Sequence, residues 1–373
     1  MKEMRKLGDF VQPVDVRNTD LSVTRLLGLS INKCFIESIA NTIGTDFRPY
    51  KIVKKGQFAY GPVTSINGEK ITIALLEEPE CIISSSYAVF EITDTSKLLP
   101  KYLMLWFSRP EFDRYARYKS HGSVREIFDW DEMCRVELPV PPLSEQQKIV
   151  DTYNAIANRI QIKQKINENL SFQLSTFFEI ESQRYTSENT KEIKLEEIVE
   201  SKRINIKIDD IPHNSIYVGL EHIPRKTLVL DSFGSTDEVL SDKLKASKGD
   251  VLFGKIRPYF HKVSVNPYDE VYCSGDALVL NAINKRQYGF VLLTLFSTKF
   301  VDYAVKLSNG AKMPRAEWKD LKNYVVKLPN HGEALKQINN MVEKSLTFIF
   351  DNLEEISKLE SMKHLVVSQI AKG

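Results

Sequence analysis

The chain is poor in the residues that build reactive or metal-bound sites. Its 373 residues include four cysteines, Cys34, Cys81, Cys134 and Cys273, and no two form a CxxC pair. Zinc ribbons and dithiol redox chemistry are therefore excluded, and the thiols are expected to be reduced and mostly buried in a cytoplasmic protein. The six histidines, His121, His213, His222, His261, His331 and His364, show no metal-ligand spacing. No GxGxxG, GxxxxGK(S/T) or GxSxG run occurs, so neither a nucleotide loop nor a nucleophile elbow can be argued. An amino-methyltransferase would need an Asn/Asp-Pro-Pro-aromatic motif, but "NPYD" at 266–269 has a single proline. The longest apolar run, "FVLLTLF" at 290–296, is too short to span a bilayer, and "MKEMRKLGDFV" has no signal core. Net charge is nearly absent, with 51 basic and 49 acidic residues giving +2. That excludes a polybasic tail and leaves a local phosphate-binding patch open.

What the chain does have is itself, twice. The length suits two or three domains, and five stretches recur in order about 190 residues apart. "VKKGQFAYG" at 53–61 matches "ASKGDVLFG" at 246–254, and "SSYAVFEI" at 85–92 matches "SGDALVLNA" at 274–282. "YLMLWFSRPEFDRYA" at 102–116 matches "FVLLTLFSTKFVDYA" at 290–304. "SHGSVREIFDW" at 120–130 matches "SNGAKMPRAEW" at 308–318, with equal spacing from Gly122 to Trp130 and from Gly310 to Trp318. "VELPVPPLSEQQKIV" and "VKLPNHGEALKQIN" close the two halves. The pattern predicts a duplicated mixed α/β unit, each copy followed by a long helix.

Pro141 and Pro142 bar a helix before them, and Ser144 with Gln147 reads as a capping box. Apolar residues then recur at three- and four-residue steps: Ile149, Tyr153, Ile156, Ile160, and after a shift Ile162, Ile166, Leu170, Leu174 and Phe177. The second helix carries Leu335, Ile338, Val342, Leu346, Ile349, Leu353 and Ile356. Helices of roughly 40 residues, about 60 Å long, exceed what a small domain can cover. The two stripes are expected to bury each other as an antiparallel coiled-coil pair. The alternative is that each helix packs on its own domain. The expected segments are 1–142, a helix over 143–188 begun by the proline stop and ended at the polar "TSENTK", 189–329, and a second helix over 330–373.

"LPVPPLSEQQKIVDTYNAI" resembles the conserved-region signature of the specificity subunit of type I restriction–modification systems. The resemblance extends to "GSVREIFDW", to "KGDVLFGKIRPYF" and to the helix after each half. The second copy keeps Leu328 and Pro329 but lacks the Pro-Pro and Glu-Gln. The resemblance implies two target-recognition domains, each reading one half of a bipartite, asymmetric DNA site. It also implies paired helices that set the spacer and dock two modification subunits, and a motor–nuclease subunit that completes the enzyme. No catalytic residue, cofactor or metal is then expected in this chain; the methyl donor would belong to the modification subunit, and no membrane is involved. The competing reading is a protein-interaction scaffold or an orphan DNA-binding regulator of the same fold.

Base reading needs Arg, Lys, Asn, Gln or hydroxyl tips on a surface that fits a groove. In the second half "FGKIRPYFHK" brings Lys255, Arg257, Tyr259, His261 and Lys262 together around Pro258, and in the first half Tyr60, Thr64, Ser65, Asn67 and Lys70 surround Gly61, Pro62 and Gly68. A second pair of candidates is the glycine loop before each tryptophan: Lys119, His121, Ser123 and Arg125, then Asn309, Lys312 and Arg315. Trp130 and Trp318 are expected in the core.

Overall fold

The computed structural model describes residues 4–38, 42–65, 68, 70–122, 125–310 and 312–372. Each half builds the same α/β unit. In the first, Met4–Lys6 pairs antiparallel with Glu137–Pro139; in the second, Thr190–Lys194 pairs antiparallel with Val325–Pro329. The Leu-Pro that closes each half is thus a strand that returns to that half's first residues. Both halves then form a four-stranded sheet in one order. It runs Val11–Val14, Ala88–Ile92, Phe58–Tyr60, Ile73–Leu75 in the first, and Val199–Lys202, Ala277–Ala282, Val251–Gly254, Val263–Val265 in the second. The duplicated lysine-glycine turn is left-handed in both copies, with φ +87° at Gly56 and +85° at Gly249.

Helices α1 (Pro100–Phe107) and α2 (Pro110–Lys119) cover the first sheet, and a short α3 (Trp130–Arg135) precedes the closing strand. Phe58 stacks on Phe90 at 4.9 Å, and Phe107 meets both rings edge-on. Each fully buried phenylalanine of this kind contributes about 2–3 kcal/mol by area. Trp130 packs at the edge of this core against Phe90 at 5.5 Å, as expected. After α4 (Leu143–Gln183) the second half supplies α5 (Tyr288–Phe296), α6 (Thr298–Leu307) and α7 (Trp318–Leu321), and α8 (Gly332–Lys372) follows. The second half also carries a five-stranded sheet where the first has a two-stranded pair, Lys51–Lys54 with Glu80–Ile83. Its extra strands are only two or three residues long and left no periodic trace in the sequence.

Helix α4 starts at Leu143, one residue before the expected cap, and Gln147 bonds Asp151 at 2.7 Å instead of reaching back. The neighbouring Gln146 anchors the helix. It is fully buried, donates to the carbonyls of Lys97 and Pro141 at 2.8 Å each, and accepts from Leu99 N at 2.8 Å. The helix ends at Gln183, and Thr190 and Lys191 of the expected linker belong to a strand.

The two long helices run antiparallel. Val150 of α4 and Ile370 of α8 share one core, while Leu174 and Phe178 share another with Ile338, Val342, Leu346 and Ile349. The stripes bury against globular residues as well as against each other. Ile149 and Tyr153 pack on the first core; Leu170, Phe177, Leu335 and Leu353 pack on the second. Ile156 and Ile160 are buried, Ile166 and Ile356 half-buried, and Ile162 is 58% exposed, which removes it from the stripe. Two compact units result, 1–159 with 358–373 and 160–357, so each division passes through a long helix rather than at its start.

A polar cluster interrupts the stripe within the second unit. Lys163 Nζ donates to Asn352 Oδ1 at 2.8 Å and pairs with Glu355 Oε2 at 2.6 Å. Asn352 Nδ2 donates to Asn167 Oδ1 at 2.8 Å, and both amides are buried. Buried polar pairs of this kind select one helix register, because any slip leaves them unsatisfied. Asn352→Leu is expected to destabilise the protein by about 1–3 kcal/mol, and adding Asn167→Leu should recover part of that loss. Denaturant unfolding of the single and double variants measures both.

Candidate nucleic-acid interface

In each half the two candidate stretches form a single platform. The strand ending at Tyr60 continues through Gly61 and Pro62, and the glycine loop before Trp130 lies alongside it. Phe128 N donates to Pro62 O at 2.8 Å and Thr64 N donates to Glu126 O at 2.9 Å. His121 and Ile127 exchange backbone hydrogen bonds at 3.1 and 2.9 Å, folding the loop on itself. The second half repeats each link. Ala316 N donates to Lys255 O at 3.0 Å, Arg257 N to Pro314 O at 2.8 Å, and Asn309 and Arg315 exchange bonds at 3.1 and 2.9 Å.

The fold of each loop rests on its glycine, with φ +136° at Gly122 and +114° at Gly310. Side chains rarely adopt that conformation, and a Cβ on Gly122 would run into the Arg125 carbonyl.

Several expected contact residues support the platform from inside rather than facing outward. Tyr60 is buried under the first sheet against Phe90 and Phe128. Thr64 is buried too, and its hydroxyl donates to Ser120 Oγ at 2.8 Å, which in turn donates to Ala116 O at 2.7 Å. His261 is buried with Nε2 2.8 Å from Phe296 O, and burial holds its imidazole below the usual range, so it is neutral near pH 7. Lys262 donates from Nζ to the Leu220 carbonyl, and burial, followed by the nearby Arg225 charge, lowers its pKa. These four are corrections to the expectation of outward tips: each loop is tied to a helix or sheet below it.

Arg257 has left-handed backbone, φ +50°, and opens the turn Pro258–Phe260. Its side chain is half-buried, with Nη2 3.5 Å from Lys312 O. The side chains left facing outward in the first half are Ser65, Lys70, His121 and Arg125, with Lys119 half-buried. Outward in the second are Tyr259, Asn309, Lys312 and Arg315, with Lys255 half-buried. Arg315 pairs with Asp276 at 3.3 Å. Asn67 and Ser123 lie outside the described residues.

The sequence reading missed Arg225 and Lys226. Arg225 stacks its guanidinium over Phe260 at 3.9 Å, and Lys226 N donates to His261 O at 3.0 Å, which places two exposed cations beside the 258–260 turn. They stand more than 30 residues from the turn they flank, so no local pattern announced them. A cavity of about 470 Å³ opens beside Lys255, with Ser201, Arg203, Asn205, Trp318 and Lys319 among its walls. Trp318 also packs on the second core, in keeping with its expected place. Asn266 of "NPYD" is fully buried and closes a turn, donating to Tyr268 O at 2.9 Å. Among the described residues no cluster of His, Cys, Asp and Glu could hold a metal ion, and no helix is long and apolar enough to cross a membrane.

Residues 3–171 match the family model described as type I restriction modification DNA specificity domain. The MjaIX specificity subunit of Methanocaldococcus jannaschii, a type I restriction enzyme component, is 22% identical over 329 residues, covering 81% of this chain and 74% of the relative. The EcoDI specificity subunit of Escherichia coli is 22% identical over 165 residues, covering 43% of this chain and 36% of that one. A crystal structure of the S subunit of a type I restriction–modification system from M. genitalium aligns over 100% of this chain and 96% of that chain. Its TM-score is 0.54 at 12% identity, a likeness of fold.

Two outcomes test this geometry. Gly122→Ala should cost about 1–3 kcal/mol through backbone strain, seen as a lower melting temperature, whereas Gly28→Ala, which has open space around it, should leave the melting temperature within about 1 °C. His261, with a folded pKa depressed below its ordinary 6.5, binds fewer protons folded than unfolded between those two values. Stability should therefore fall as pH drops below about 6.5, and His261→Gln should flatten that slope in unfolding measured from pH 7.5 to 5.

Proposed function

We propose that the chain is a specificity subunit of a type I restriction–modification system and that it selects DNA without itself catalysing a reaction. Each platform would read one half of a bipartite site, and α4 with α8 would set the gap between half-sites. One observation carries this reading: the same platform is built twice with different outward side chains. At positions 188 residues apart, His121 gives way to Asn309, Arg125 to Met313 and Ile127 to Arg315. Matching loop frameworks with different tips suit two half-sites of different sequence. Arginine favours the O6 and N7 acceptors of guanine, and Lys312 suits phosphate. The paired helices, about 60 Å each, are long enough to span readers spaced by a helical turn of DNA, about 34 Å.

The chemistry and the motor would belong to other chains. Two modification subunits would bring the methyl donor and dock on the helical pair, and a motor–nuclease subunit would complete restriction. Exposed apolar residues on the long helices, Phe172, Ile180, Phe348 and Leu365, support docking there.

A random-sequence DNA selection with the chain and its modification subunit should return one asymmetric sequence in two blocks; a single block, or no selection, would sink the reading. Arg315→Ala should weaken the selected site by about 1–3 kcal/mol and relax one position. Lys312→Ala should weaken all sequences alike, as read by gel shift at fixed salt.

A further inference from the structure

The turn Pro258–Phe260 in the second half holds one aromatic side chain out in water. It is bracketed by two residues with left-handed backbone, Arg257 at φ +50° and His261 at φ +51°. Lys226 is a third, at φ +54°, and its amide donates to His261 O at 3.0 Å. Among the described residues six that are not glycine have positive φ, and three of them meet at this turn. Such backbone costs stability and persists where the surroundings impose it, commonly at binding sites. Here it is imposed by His261, buried with Nε2 2.8 Å from Phe296 O, and by the Arg257 amide, which donates to Pro314 O at 2.8 Å.

Tyr259 stands at the apex. It is 52% exposed, while Pro258 before it is buried and Phe260 after it half-buried. Its ring meets Phe260 edge-on at 4.8 Å, and the Arg225 guanidinium lies over Phe260 at 3.9 Å. The exposed ring is therefore backed by a second aromatic and a cation. Arg225 and Lys226 are exposed, and Lys255 and Arg257 half-buried. None of these four is in an ion pair among the described residues, whereas Arg315 of the same platform is held by Asp276. An aromatic tip among unpaired cations suits a nucleic acid, because the charges meet phosphates and the ring meets the faces of bases.

The first half has no such tip. Its strand-end bond from Gly61 N to Thr72 O, 2.9 Å, corresponds to the bond from Gly254 N to Lys262 O, also 2.9 Å. Residues 62–71 lie between the first pair and residues 255–261 between the second, and the longer first-half stretch contains no aromatic residue.

We propose that Tyr259 is a wedge that enters between two adjacent base pairs of the half-site read by the second half, unstacking that step while Arg225 and Lys226 hold the flanking phosphates. The proposal rests on the DNA-selecting function above and adds to it a readout by deformability. Pyrimidine–purine steps, TA or CA/TG, unstack most easily, so one of them should lie in that block. With a wedge in one half only, the distortion of the DNA is asymmetric.

The complex of the full chain with its modification subunit, bound to the selected site, tests this. The fluorescent base 2-aminopurine is placed in turn across the block that Arg315→Ala relaxes, leaving out the methylated base. Wild type should brighten one step. Tyr259→Ala should return that step to the fluorescence of free duplex and weaken binding by about tenfold. Tyr259→Phe keeps the ring and should match wild type in both. The variants should melt within about 1 °C of wild type; if alanine lowers the melting temperature, Tyr259→Phe and the wild-type scan decide the matter. A selected site with no bright step overturns the wedge alone. So does a loss in Tyr259→Phe equal to that in Tyr259→Ala, which would make the hydroxyl the contact. Failure to select any two-block sequence overturns the functional reading as well.

Discussion

Everything in this structure depends on covering the apolar stripes of two 41-residue helices. An isolated helix of that length draws little stability from propensity, and its stripe must be removed from water. Here the stripe of each helix is shared between the other helix and a globular core. Ile370, near the end of the chain, closes the core built by the first half, and Leu174 and Phe178, which follow the first half, close the core built by the second. Each unit therefore contains pieces from distant parts of the sequence, and the helices are walls of both units.

That sharing explains the conspicuous motif. The prolines of "LPVPPLSEQQ" end a strand, and Gln146 then satisfies three backbone groups inside the first unit. The first turn of this helix is thereby pinned by a buried amide. The second copy starts its helix without that amide: Leu335 stands where Gln146 does, 189 residues on, and packs on the second core. One junction is held by hydrogen bonds, the other by apolar contact.

The two platforms obey the same economy. Their outer faces carry few side chains, held by backbone exchange between a strand end and a glycine loop. Beneath them Thr64 with Ser120, and His261 with Phe296, connect the loop to a helix. Burial of such polar groups is tolerated because each finds a partner. A platform fixed from below can change its outward residues without losing its shape, which is how one scaffold presents Arg125 in one half and Arg315 in the other at different places.

The sequence by itself determined the duplication, the two long helices and the sheet-forming stretches, because periodicity and proline stops are local and the repeat samples each signal twice. It also singled out both loops of each platform. Only the tertiary structure decided that those loops join. Backbone pairing between residues 62 and 128, or 255 and 316, leaves no mark on side-chain type. Burial was likewise illegible: Tyr60, Thr64 and His261 look like outward polar tips in a linear reading, and Arg109 looks like a surface charge before a proline. Which way each side chain points is set by twist, turn handedness and the packing of distant helices. For that reason the repeated architecture was readable from the letters, and the placement of buried and outward side chains was not.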